Sequence, residues 1–245
     1  PHPNAPGQPS QLDRLDLCEQ LEVDLLVTMH CDPRAHNMYR GRLDCELMNI
    51  PPAGLDTGLF DARTPVDDRE VDLGYRAFEN PWYLGHNERR AIGEFFLETA
   101  VRFGLNVNIS FDPSDRFTEP EWGAFLNSCV GQIGSEAGGG FFEIDDTTRD
   151  AVNAFMGDNP EAEFEMVYER FFSDYENPVP GWVISSRHME AAGTKTAQIL
   201  FEGYYNVTDF HLLTSTKRKT LRATRMDYRA RKHRTYHFWV DLCLQ

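Results

Sequence analysis

Between Val71 and Phe201 short apolar runs alternate with longer stretches of helical spacing, and this alternation limits the folds open to the chain. VDLGYRA (71–77), LNVNISF (105–111), CVGQIGS (129–135) and residues 197–201 have the length and apolar content of buried strands. Asn87 heads a helical pattern in which Ile92, Phe95, Phe96, Thr99, Ala100 and Phe103 recur on one side, and Gly104 stops it. Thr118 caps a second helix, TEPEWGAFLNS, with Pro120 in its first turn. Further helices are expected over 147–156 and 162–175, with a short one ahead of Gly193. Strands and helices in this order predict an α/β fold: a Rossmann-like, mainly parallel sheet with helices on both faces.

The N-terminal part is sparser. PHPNAPGQPSQ reads as a linker, 12–20 as a short helix and VDLLVTM (23–29) as a buried strand. IPPAGLDTGLF (50–60) then supplies two prolines and two glycines ahead of an acidic stretch, the composition of a connector. The expected division is 1–60 and 61–245.

Charge excludes some partners. The net charge is −15, yet residues 207–245 carry nine Lys and Arg against three Asp and Glu. That tail is either a solvated basic face or a patch for a polyanion. The acidic body argues against a nucleic-acid partner. No apolar run approaches the roughly 20 residues of a membrane-spanning helix, so no integral membrane segment is expected. Five widely spaced cysteines, with no CxxC pair, favour free thiols over a disulfide framework or a zinc site. They point to a cytoplasmic location.

Parallel sheets place ligands beyond the carboxyl ends of their strands, at helix N-termini. Three loops qualify: 75–85, 134–140 and 183–187. In the last, Ser185 or Ser186 can cap a short helix whose free N–H groups and first-turn Arg187 suit an anion such as a diphosphate. Glu190, one turn on, either accepts hydrogen bonds from a vicinal diol or completes a capping box. Ala191, Ala192 and Gly193 are small enough for close packing on the sheet. GSEAGGG (134–140) is neither a dinucleotide fingerprint nor a P-loop. Its glycines, Gly134 among them, with Ser135, permit close ligand approach. Glu136 there is either exposed or aimed at a ligand hydroxyl. Arg76 is either a ligand cation at a strand end or a surface ion pair. Asp145-Asp146 reads as a helix cap rather than a metal pair.

Taken in order, these loops resemble one family. REVDLGYRAFENPWYLGHNERRAIGEFF, EWGAFLNSCVGQIGSEAGG and SSRHMEAAGTKTAQILFEGYY are similar to blocks of the bacterial group 1 glycosyltransferases of GT-B fold, in the lineage that includes the spore-maturation CgeB-like proteins. The resemblance implies the C-terminal, donor-binding half of that fold, with the end of the acceptor-side half before residue 60 and RTYHFWVDL (234–242) as a closing helix. It implies transfer of a sugar from a nucleotide-diphosphate sugar to an acceptor, a glycan, lipid or protein, with no metal and no separate cofactor. Glu190 would hold the ribose hydroxyls, and Arg187, Ser186 and the helix N-terminus the diphosphate. Arg76 would reach the same phosphates, and Gly134, Ser135 and Glu136 would line the nucleotide or sugar. Related retaining enzymes carry a carboxylate eight residues before the ribose glutamate. That position is Trp182 here, which leaves inversion and retention both open. A nucleotide-sugar epimerase of the same architecture, and an inactive interaction module, are the other readings.

Overall fold

The computed structural model describes residues 10–30, 32–50, 54–78, 80–175 and 179–201, together with the backbone of 226–229 and 235–241. Residues 1–9 of the expected linker and most of the basic tail lie outside the described residues, as does the EGYY that follows residue 201, while Ser10 and Gln11 cap and begin the first helix.

In chain order the elements are α1 (Gln11–Gln20), β1 (Leu25–Thr28), α2 (Pro33–Arg40), β2 (Glu46–Asn49), β3 (Val71–Arg76), α3 (Glu88–Phe103), β4 (Val107–Ser110), α4 (Glu119–Ser128), β5 (Cys129–Gly134) and β6 (Ala137–Gly139). They continue with α5 (Thr147–Asp158), α6 (Phe164–Phe171), β7 (Gly181–Val183), α7 (Ser186–Gly193), β8 (Ala197–Phe201), β9 (Met226–Arg229) and β10 (Thr235–Asp241). Two compact units result, and they interleave in sequence. One takes 1–51, 81–86 and 138–183, and the other 52–80, 87–137 and 184–245.

The second unit is Rossmann-like. Its sheet runs β4-β3-β5-β8-β10-β9, and the first four strands are parallel and flanked by helices. Leu73 lies opposite Val107 on one side and Gly131 on the other, and Gly131 opposite Ala197. Ile92, Phe95 and Phe96 of α3 pack with Leu73, Tyr75 and Ile133 of the sheet in one core cluster. α3 stops where expected, with Gly104 in the left-handed region at φ 65°. Asn87 holds the N-cap position without a side-chain capping bond. Thr118 and Glu121 form the reciprocal capping box that starts α4. Gly74 is required by packing, because a Cβ there would overlap Cys129 Sγ and the Phe125 ring.

The expected closing helix is corrected: 235–241 is a strand, β10, antiparallel to β8. Thr, Tyr, Phe, Trp and Val in TYHFWV are strand-favouring types, and the strand stands where the family resemblance implied a helix.

Arg69 joins the sheet to the connector before it. It is 8% exposed and has no carboxylate partner among the described residues. Its guanidinium donates to the carbonyls of Thr64, Cys129 and Thr194 and to the Thr196 hydroxyl. Arg69→Met removes all these donors and leaves buried carbonyls unmatched. It is expected to cost about 3 kcal/mol, read as a lower urea midpoint at unchanged slope.

In the first unit, parallel strands β1 and β2 lie together, and β6 pairs with β7. Leu15, Ala35, Tyr39 and Leu43 gather with Phe142 and Val179 in one cluster, and Tyr83, Val152, Val167 and Phe172 form a second. The sequence pattern missed α2, β2, β6 and β7, which are short, and overran α6, which ends at Phe171. Asp145 does act at the start of α5, accepting from Thr147 N at 3.2 Å. Among the described residues no helix is long and apolar enough to cross a membrane, and Cys18, Cys45 and Cys129 are free thiols.

Candidate functional site

Strands β3, β4 and β5 are parallel, so their carboxyl ends share one edge of the sheet, and the first turns of α3, α4 and α7 reach that edge. Two cavities open there. The larger, of about 340 Å³, is lined among others by Arg76, Phe117, Trp122, Ser186, Arg187 and Glu190. The smaller, of about 230 Å³, is lined by Tyr75, Arg89, Gly134, Ser135, Arg187 and His188 with a few neighbours. Trp122 and Arg187 line both.

α7 begins with Ser185 as its cap, the hydroxyl accepting from Arg187 N at 3.4 Å. Ser186 is the first helical residue, exposed at the first cavity. Ala191 is fully buried, while Ala192 faces solvent. A Cβ on Gly193 would overlap Phe60 O and the Leu55 side chain. The glycine is therefore required by the 55–60 segment rather than by the sheet. Gln132 Nε2 donates to Arg187 O at 3.1 Å, fixing the first turn of α7 on β5. His188, buried beneath it, meets Gln198 Oε1 at 2.9 Å. Burial lowers its pKa to about 4, so it is neutral at physiological pH.

Glu190 does not close a capping box. Its Oε2 accepts a 2.7 Å hydrogen bond from Trp122 Nε1, which points the half-buried carboxylate along the first cavity. The Arg187 guanidinium lies over the same indole, 5.6 Å from its ring centre, and donates to Arg76 O. One tryptophan thus positions both the carboxylate and the guanidinium.

Arg76 lines the first cavity, but most of its N–H groups are occupied. They donate to the carbonyls of Asp115, Tyr75 and Asn108 and to Asn108 Oδ1, and the guanidinium rests over Phe117 and Phe125 at 5.0 and 4.8 Å. Burial lowers its pKa from the usual arginine value, with Asp115 opposing. Here Arg76 joins β3 to the loop after β4. Gly134 and Ser135 line the second cavity beside the buried Tyr75 phenol, and the Ser135 hydroxyl donates to Glu136 O at 3.4 Å. Burial pushes that phenol up to about 12. Glu136 is buried at 2% exposure and lines neither cavity. Of the seven expected residues, the edge therefore gathers six, Arg76, Gly134, Ser135, Ser186, Arg187 and Glu190, and leaves Glu136 aside.

Neither a family model, a curated protein nor a solved structure aligns with the chain. What the site can do is read from its own groups.

Two of those groups were missed in the sequence. Trp122 lies in an apolar helical pattern, where an aromatic reads as core. Arg89 is a cation in the first turn of a helix that follows a strand, the signature that singled out Arg187, and the same rule applied to α3 would have found it. Among the described residues no cluster of three His, Cys, Asp or Glu is placed to hold a metal ion.

Proposed function

We propose that this chain holds the nucleotide-diphosphate sugar of a GT-B-type glycosyltransferase and stabilises the departing diphosphate during sugar transfer. The observation that carries the reading is the Trp122–Glu190 hydrogen bond beside Arg187. With Oε2 held by the indole, the remaining lone pairs of Glu190 suit two adjacent hydroxyls, as a ribose presents. Arg187 and the N–H groups of α7 sit within one turn of that carboxylate, the spacing of a ribose and its attached phosphates. A cavity of about 340 Å³ with Phe117 and Trp122 in its wall has room for a nucleoside.

In transfer the anomeric C–O bond to the diphosphate breaks and its electron pair stays on the phosphate oxygen. The acceptor hydroxyl forms the new C–O bond, and its proton passes to the departing diphosphate or to solvent. Negative charge grows on the diphosphate as this happens, and Arg187 with the α7 dipole are fixed donors aimed at it.

Calorimetry with UDP-, GDP- and dTDP-sugars tests the reading. At least one is expected to bind saturably, and Trp122→Phe, which removes the indole donor, is expected to weaken it about tenfold. Absence of binding by every nucleotide would falsify the assignment.

A further inference from the structure

The smaller cavity has an unusual charge balance. Its walls carry two guanidinium groups, Arg89 from the first turn of α3 and Arg187 from the first turn of α7, and no carboxylate. Arg90, next along α3, is neutralised by Glu94 at 2.6 Å. Arg89 has no such partner among the described residues, and its guanidinium makes no hydrogen bond with them. Burial lowers the Arg89 pKa from its usual value, and the like charge of Arg187 lowers it further against the opposing effect of Tyr75. Arginine remains cationic even so, and two cations held around one half-closed space are costly unless an anion joins them. The remaining wall offers further hydrogen-bond donors. Ser185 brings a hydroxyl, and the N-terminal turns of the two helices bring their partial positive charge.

We infer that the cavity of about 230 Å³ lined by Arg89, Arg187, Ser135 and Tyr75 is a binding site for a multiply charged phosphate oxyanion, with Arg89 and Arg187 as its two cationic arms. Two planar forks suit the several oxygens of a phosphate or diphosphate, whereas a singly charged carboxylate would leave one cation unmatched. The anion is either free diphosphate or the diphosphate of a nucleotide, and only the second source rests on the function proposed above.

Calorimetry of the whole chain with inorganic pyrophosphate, with guanosine or uridine, and with GDP or UDP separates the cases. Pyrophosphate is expected to bind saturably, with affinity falling steeply as salt rises. Arg89→Gln is expected to weaken it roughly thirtyfold, while Arg89→Lys, which keeps the charge and loses the fork, gives a smaller loss. In the wild-type chain the Arg89 Nε–H resonance, assigned by its disappearance in Arg89→Lys, should move on saturation with pyrophosphate. An unmoved resonance, or unchanged pyrophosphate affinity in Arg89→Gln with native circular dichroism, overturns the site. Nucleotide binding that depends on Glu190 and ignores Arg89 overturns the site and leaves the proposed function standing. Pyrophosphate binding that depends on Arg89, with no nucleotide bound, supports the site and removes the proposed function.

Discussion

Replacing Arg187 by glutamine is expected to raise the dissociation constant for a nucleoside diphosphate about a hundredfold, the largest single effect at the site. Arg187 is the cation common to both cavities, and its backbone is fixed by the Gln132 bond to its carbonyl and the Ser185 bond to its N–H. The side chain is steadied by the Trp122 ring and by Arg76 O, so little order remains to be gained when an anion arrives. Glutamine keeps the volume and some hydrogen bonding but loses the charge. Free uridine or guanosine, lacking phosphate, should bind the variant as it binds the wild type. Calorimetry on matched nucleosides and diphosphates reads the difference. An equal loss for both would show that Arg187 shapes the cavity rather than meeting phosphate.

Glu190→Ala carries the second large effect, a loss of roughly thirtyfold to a hundredfold for ribonucleotides, from two charge-assisted hydrogen bonds to the diol. A control separates recognition from structure. The wild-type chain should prefer UDP over 2′-deoxy-UDP by about tenfold, and Glu190→Ala should erase that preference. A variant that weakened both ligands equally would mean the carboxylate serves only to hold Trp122. Because Trp122 Nε1 loses its acceptor in Glu190→Ala, Trp122→Phe/Glu190→Ala should cost little more than Glu190→Ala alone.

The parallel sheet was legible because each of its four strands is bounded by clear signals. Gly104 ends α3, Thr118 starts α4, and β-branched or apolar runs separate them. α7 was legible for the same reason: Ser185 caps it, and a charged first turn precedes small residues. β10 was not, because the family resemblance led to a helix there, and its pairing with β8 is a contact at long range in sequence. Trp122 and Glu190 are a similar case. Their hydrogen bond spans sixty-eight residues, and no local spacing announces it. Arg76 illustrates the converse. A cation at a strand end is a sound ligand candidate, yet here four hydrogen bonds to its own fold occupy it, a fact that only the packed loops around it reveal.

The most direct test watches the indole of Trp122. In a nitrogen-15 spectrum its side-chain N–H, identified by its loss in Trp122→Phe, reports the hydrogen bond to Glu190 in the wall of the first cavity. Titration with nucleoside diphosphates is predicted to move that resonance to saturation with at least one base, at a concentration matching the calorimetric dissociation constant. An indole resonance that stays in place with every nucleotide, while the chain remains folded, would contradict a nucleotide-sugar site at this edge of the sheet.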